Sequence, residues 1–336
     1  MPGLVLAAVV TAAAFAVAAA FARADGPRLS PVFIAVLVGL LLSLSVPELT
    51  GGRAVPGFRL ATRGLLRLAI VLLGLRFSLG VVLEVGARGL LVVLAVVATG
   101  LTFGVVVGRR LGASPRLAWL VGIGTAICGT SAIAAAAPIV GAEEDEVSVA
   151  SVIITVFGTA AMVVLPVVGH RLGMDADTFG VLAGAGVHDA AQAIAAGFSF
   201  GPEAGGTATI VKLARTSLLV PVLLVLSVVH GRRRGAVTAD GGRVRIRVPW
   251  YLVGFVAAAA VRTLGDRVLG DAGGWVALLD AVATSTTALL VLAMAAFGLQ
   301  TRLSALREVG PRAVAAGLTT AVACAVVATL GALTLT

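Results

Sequence analysis

Apolar runs long enough to cross a bilayer recur along almost the whole chain. They cover residues 3–22, 31–47, 65–83, 89–108, 117–140, 147–169, 178–199, 207–230, 249–265, 274–299 and 313–335. A spanning helix needs ~20 mostly apolar residues. The pattern therefore predicts an all-α membrane protein of about eleven transmembrane helices. The first run ends in an Ala-rich stretch that resembles a signal-peptide cleavage site. Its start, Met1-Pro2-Gly3, lacks the positive region such peptides carry, so a retained helix is expected. Residues 1–30 then form an N-terminal helix and loop, and 31–336 one membrane domain with halves 31–171 and 172–336.

Composition agrees, because 59% of residues are hydrophobic and only 12% charged, against about 25% charged in soluble domains. The net charge of +9 does not signal nucleic-acid binding. Its basic residues lie in short segments between apolar runs, with no basic face interleaved with aromatics. Alternate connections carry them unequally. Those after runs two, four, six, eight and ten hold seventeen basic residues, and the others hold four: Arg23, Arg28, Arg88 and Arg267. Cytoplasmic segments retain the excess of Lys and Arg. A cytoplasmic N-terminus and a periplasmic C-terminus are expected, in a multi-pass protein of the bacterial inner membrane.

An internal repeat stands at an offset of 224 residues. Residues 74–88 read GLRFSLGVVLEVGAR and 298–312 read GLQTRLSALREVGPR, identical at seven of fifteen positions. The copies lie seven runs apart, an odd number, so they face opposite ways. Inverted repeats of this kind mark secondary transporters. A weaker echo links Ala132-Ile133-Ala134-Ala135 to Ala193-Ile194-Ala195-Ala196.

Three polar constellations interrupt the apolar runs. In 122–138, GIGTAICGTSAIAAAAP, the glycines and Pro138 predict a broken helix. A restart near Gly129, Thr130 and Ser131 would aim free N–H groups and a positive dipole end at an anion. In 184–197, GAGVHDAAQAIAAG, His188, Asp189 and Gln192 share one turn. A carboxylate at membrane depth costs ~2.5–3.5 kcal/mol on insertion scales, which suggests a proton relay or ligand contact, with a buried polar staple as the plain alternative. In 205–217, GGTATIVKLARTS, Lys212 and Arg215 share a helix face and would form a cationic pair for an anion, or else reach for the interface. Asp280, Ser285 and Thr286 in the tenth run are further pathway residues. The acidic run Glu143–Glu146 reads as a solvated loop that favours the next helix N-terminus.

Cys128 and Cys324 lie 196 residues apart in apolar segments, and the three histidines lack metal-ligand spacing, so neither a disulfide framework nor a metal site is expected. No GxxxxGK[ST] sequence occurs. No cofactor is expected, and a catalytic role is disfavoured because no convergent set of catalytic groups is present.

The segments GTAICGTSAIAAAAPIV (124–140), VFGTAAM (156–162), GVHDAAQAIAAGF (186–198) and TATIVKLART (207–216) resemble the YeiH-like family of bacterial membrane proteins, named as sulfate exporters. The resemblance covers most of the chain from about residue 30. Gly186-Val187 stand where that family commonly has a hydroxyl residue before the histidine. The resemblance implies kinship with inverted-repeat transporters of the sodium/proton antiporter and bile-acid symporter type, with interrupted helices crossing at the midplane. It also implies export of sulfate or a related small inorganic or sulfonate anion. In that scheme Gly129, Thr130, Ser131, Gln192, Lys212 and Arg215 bind the anion, while His188 and Asp189 couple transport to protonation. Partners are then the anion and the lipid bilayer, not nucleic acid, with a homodimer as one assembly open to the chain. Two rivals remain: a cation/proton antiporter using Asp189 and Asp280, and a membrane protein of structural or receptor type.

Overall fold

A computed structural model of the chain describes residues 2–23, 30–234, 249–301, 305–306 and 309–335. It is helical, with no strand among the described residues. The helices are α1 (Pro2–Arg23), α2 (Pro31–Ser45), α3 (Pro47–Gly74), α4 (Leu79–Arg110), α5 (Pro115–Ala126), α6 (Thr130–Val140) and α7 (Glu144–Arg171). They continue as α8 (Ala176–Gly186), α9 (Ala190–Phe200), α10 (Pro202–His230), α11 (Trp250–Leu269), α12 (Gly273–Gln300) and α13 (Pro311–Leu335). Six of these (α1, α4, α7, α10, α12 and α13) are long and apolar enough to cross a bilayer alone. The pair α2 and α3, bent by 115° between them, adds a seventh if counted as one span.

The third predicted run, 65–83, straddles a turn. α3 ends at Gly74, and Ser78 caps α4 by accepting the Val81 N–H at 3.4 Å. The expected loop before that run is helical as far back as Pro47. α1 is packed rather than separate: Ala7, Val10 and Ala14 are buried, and a Cβ on Gly3 would overlap the Ala54 carbonyl.

Run 117–140 breaks in the middle, as expected. Run 178–199 breaks too, at 187–189, where one continuous turn through His188, Asp189 and Gln192 was expected, and neither run continues forward. Arg116 pairs with Glu143 at 2.5 Å, and Ser114 donates to Glu146 at 2.5 Å. In an unbroken helix, residues 116 and 143 would stand ~40 Å apart. The chain therefore turns back at 127–129, and α6 returns to the end where α5 began. The second break behaves alike. Phe179 at the start of α8 stacks on Phe200 at the end of α9, ring centroids 4.1 Å apart, and His170 stacks on the same ring at 4.2 Å. Both segments are re-entrant hairpins.

Their mouths lie at opposite ends of α7. The α5–α6 hairpin opens beside the start of α7, and the α8–α9 hairpin beside its end. The tips meet between: an added Cβ on Gly129 would stand 2.7 Å from Asp189 Oδ2. Gly129 holds φ +72°, a region that L side chains rarely adopt, so conformation and contact both require glycine. Local chemistry fixes the mouths. Glu143 and Glu146 form a capping box on α7. Asp175 caps α8 through the Thr178 N–H at 2.8 Å, which holds its carboxyl below the usual range.

A bilayer crossed by α7 and by neither hairpin would put Arg171 on the other side from the eleven-run scheme, turning seventeen basic residues against four into sixteen against five. Of the second copy of the 224-residue repeat, 302–304 and 307–308 lie outside the described residues.

This topology predicts a cross-link. With Ser114 and Glu146 replaced by Cys in a protein lacking Cys128 and Cys324, a short bismaleimide should join the pair in intact membranes. A chain that ran forward through the break would give no product, since its ends would be far beyond the reach of the reagent.

Candidate functional site

The two breaks leave four half-helix ends near one another in the interior. Each end carries backbone groups that no helical partner satisfies. At the C-terminal ends of α5 and α8 these are carbonyls, and α10 supplies their donors. The Lys212 ammonium donates to Ile127 O at 3.1 Å, Val187 O at 2.7 Å and His188 O at 2.5 Å. The Arg215 guanidinium donates to Ala126 O at 2.7 Å, Ala185 O at 2.6 Å, Val187 O at 2.9 Å and the Thr125 carbonyl. Lys212 is 1% exposed and Arg215 0%. These two residues are thus joined to the helix breaks, but on the carbonyl side. Neither lines the cavity described below, so the expected cationic pair for an anion is not brought to it. The physical reason is the sign of the ends: partly negative carbonyls draw the buried cations.

The N-terminal ends of α6 and α9 face a cavity of about 610 Å³. At ~30 Å³ per water it holds on the order of twenty waters, room for a small anion with part of its hydration shell. Thr130 and Ser131 from the first turn of α6 line it, as do Asp189, Ala190, Ala191 and Gln192 from the start of α9. Gly129, the residue before α6, is packed on Asp189 at the meeting of the tips. Asp189 caps α9, its Oδ1 accepting the Ala191 N–H at 3.0 Å. Gln192 is fully buried and braces α9 to α7. Its amide nitrogen donates to Thr155 O at 3.0 Å and Thr159 Oγ1 at 3.2 Å, while its Oε1 accepts from Asp189 N at 3.2 Å. Its hydrogen bonds point to positioning rather than to ligand contact.

The other wall is α3. Arg59, Arg63 and Arg67, each four residues apart and so on one helix face, all line the cavity. Arg63 sits in a π-helical turn, Leu60–Leu65, a deformation frequent at functional sites. No ion pair engages these arginines among the described residues, and Arg67 lies 5.7 Å from the Tyr251 ring centroid. Sequence reasoning placed all three in a loop. Their i, i+4, i+8 spacing was the signal that could have found them.

The remaining predicted residues fall away from the cavity. His188 is 1% exposed and does not line the cavity. Asp280 and Ser285 are exposed and Thr286 is buried. All three precede by at least two turns the end of α12, where Phe297, Gln300 and Thr301 reach the cavity. No cluster of His, Cys, Asp and Glu suited to a metal occurs among the described residues.

A family model described as Conserved hypothetical protein 698 matches residues 2–317. TauZ of Paracoccus pantotrophus, a UPF0324 membrane protein, is 38% identical over 305 residues, covering 89% of this chain and 87% of the relative. The inner membrane protein YeiH of Escherichia coli K12, also UPF0324, is 30% identical over 315 residues, 93% of this chain and 87% of its own. No solved structure matches. The chain belongs to the UPF0324 family of membrane proteins.

Proposed function

We propose that this protein is a secondary transporter that carries a small oxyanion, sulfate or a related inorganic or sulfonate anion, through the cavity between the two hairpin tips. One observation carries this reading: two half-helix N-termini and three arginines without an ion pair among the described residues converge on one cavity within an apolar protein. Helix N-termini and arginine forks are oxyanion ligands, and guanidinium matches their geometry bidentately. Asp189 lines the same cavity, as its one carboxylate among the described residues. It would repel a bound anion when ionised and accommodate it when protonated, which couples the anion to a proton. The antiporter rival needs Asp280 as a second carrier, and that residue is exposed and outside the cavity.

Inverted symmetry supports the reading. The unit α5–α6–α7 and the unit α8–α9–α10 each consist of a hairpin followed by a long helix, and they open at opposite ends. The Ala-Ile-Ala-Ala echo falls just after the tips, in α6 and α9. In the 224-residue repeat, Gly74 lets α3 approach the Phe255 carbonyl of α11, and Gly298 lets α12 approach the Val36 carbonyl of α2. In this scheme α2, α3 and α11 cross separately beside the six long apolar helices, and the two hairpins re-enter, all counted among the described residues. The charge excess supports a cytoplasmic N-terminus and a periplasmic C-terminus.

Sulfate flux into proteoliposomes tests the assignment. Replacing Arg63 or Arg67 by Ala should raise the half-saturating sulfate concentration about tenfold to a hundredfold, the weight of one or two charge-assisted hydrogen bonds. Unchanged saturation in both variants would remove the arginine face from the site. Asp189→Asn keeps an effective helix cap and should flatten the pH dependence of sulfate flux. A wild-type profile in that variant would exclude Asp189 as the proton carrier.

A further inference from the structure

The carbonyl ends behind the tips have a geometry that the anion reading does not use. Three carbonyls from α5 (Thr125, Ala126, Ile127) and three from the end of α8 and the residues after it (Ala185, Val187, His188) converge on one turn of α10. Oxygen-only sets from unwound backbone and half-helix C-termini are what transporters use to hold alkali cations. Channels likewise replace an ion's hydration shell with carbonyls. Here the central position, among Ile127 O, Val187 O and His188 O, is taken by a nitrogen at 2.5–3.1 Å from all three. An ammonium has three N–H donors, one for each of the three carbonyls, and so matches the set of acceptors around it. No carboxylate forms an ion pair with it among the described residues. Its charge is balanced by the carbonyl dipoles around it and, beyond ion-pair distance, by Asp189.

We propose that the carbonyl ends of α5 and α8 form a monovalent-cation site whose permanent occupant is the Lys212 side chain. The protein then folds and works without a bound alkali ion, and removing the ammonium turns the site into one that accepts sodium or a small alkylammonium. Arg215, one turn along, holds the outer carbonyls and keeps the site assembled when Lys212 is changed. This inference concerns the carbonyl side only and is independent of which solute the cavity carries. Joined to the transport reading, it leaves the proton rather than sodium as the coupling ion.

Thermal unfolding of the purified full chain in detergent tests it, in chloride salts of N-methylglucamine, sodium or ethylammonium at matched ionic strength. The wild type should melt at the same temperature in all three. Lys212→Ala should melt lower in N-methylglucamine and recover saturably, by on the order of 5 °C, with sodium or ethylammonium. Lys212→Met keeps the stem and removes the charge, and should behave alike. If neither variant folds in N-methylglucamine, purification in ethylammonium should restore folded protein. Equilibrium dialysis with radioactive sodium should show binding by Lys212→Met and none by the wild type. A saturable sodium response of the wild type would overturn the proposal. So would variants that are stable without any cation response, or that no cation rescues.

Discussion

Two cations on a single turn of α10 satisfy six backbone carbonyls at two helix ends, and the interior of the molecule depends on that contact. Water is scarce at this depth, and each polar group left bare there costs ~1–3 kcal/mol. A hairpin tip in the membrane exposes such groups by necessity, since the chain cannot reverse without ending one helix and starting another. Lys212 and Arg215 stand at i and i+3, so one helix face serves α5 and α8 together. The two hairpins enter from opposite ends of α7, yet α10 ties their carbonyl ends to the same place.

That arrangement decides what faces the cavity. With the negative ends of α5 and α8 neutralised from behind, the positive ends of α6 and α9 are left to act forward. Asp189 answers one of them as a cap on α9, and its contact with Gly129 brings the two tips together. The face opposite is built by α3, where Arg59 and Arg63 are exposed and Arg67 stands against one aromatic ring. The site therefore has a positive field on two sides and, among the described residues, a single carboxylate between them, the combination expected of a site that takes up an anion with a proton.

Much of this was legible in the sequence. Apolar length gave the membrane class, and the glycines and polar residues around 129 marked one interruption, whereas the polar residues around 188 read as a turn within a continuous helix. The return of the chain was not legible, because hydropathy records how long an apolar run is and not which way it leaves. Charge alternation did not betray the hairpins either. With α7 crossing between them, only Arg171 and the acidic run Glu143–Glu146 would change side. The partners of Lys212 and Arg215 were hidden for another reason: a carbonyl acceptor belongs to every residue and leaves no trace in composition. Arg59, Arg63 and Arg67 were readable as a helical face, but the excess of charge around Arg53–Arg67 suggested a loop.

The central claim is that anions bind on the N-terminal side of the tips and not beside the buried cations. Selenate replaces sulfate closely and scatters anomalously, so a structure of the protein crystallised with selenate locates the ion directly. The account predicts an anomalous peak within hydrogen-bonding distance of the α6 and α9 first turns and of Arg63 or Arg67. A peak beside Lys212 and Arg215, or none at saturating selenate, would contradict it.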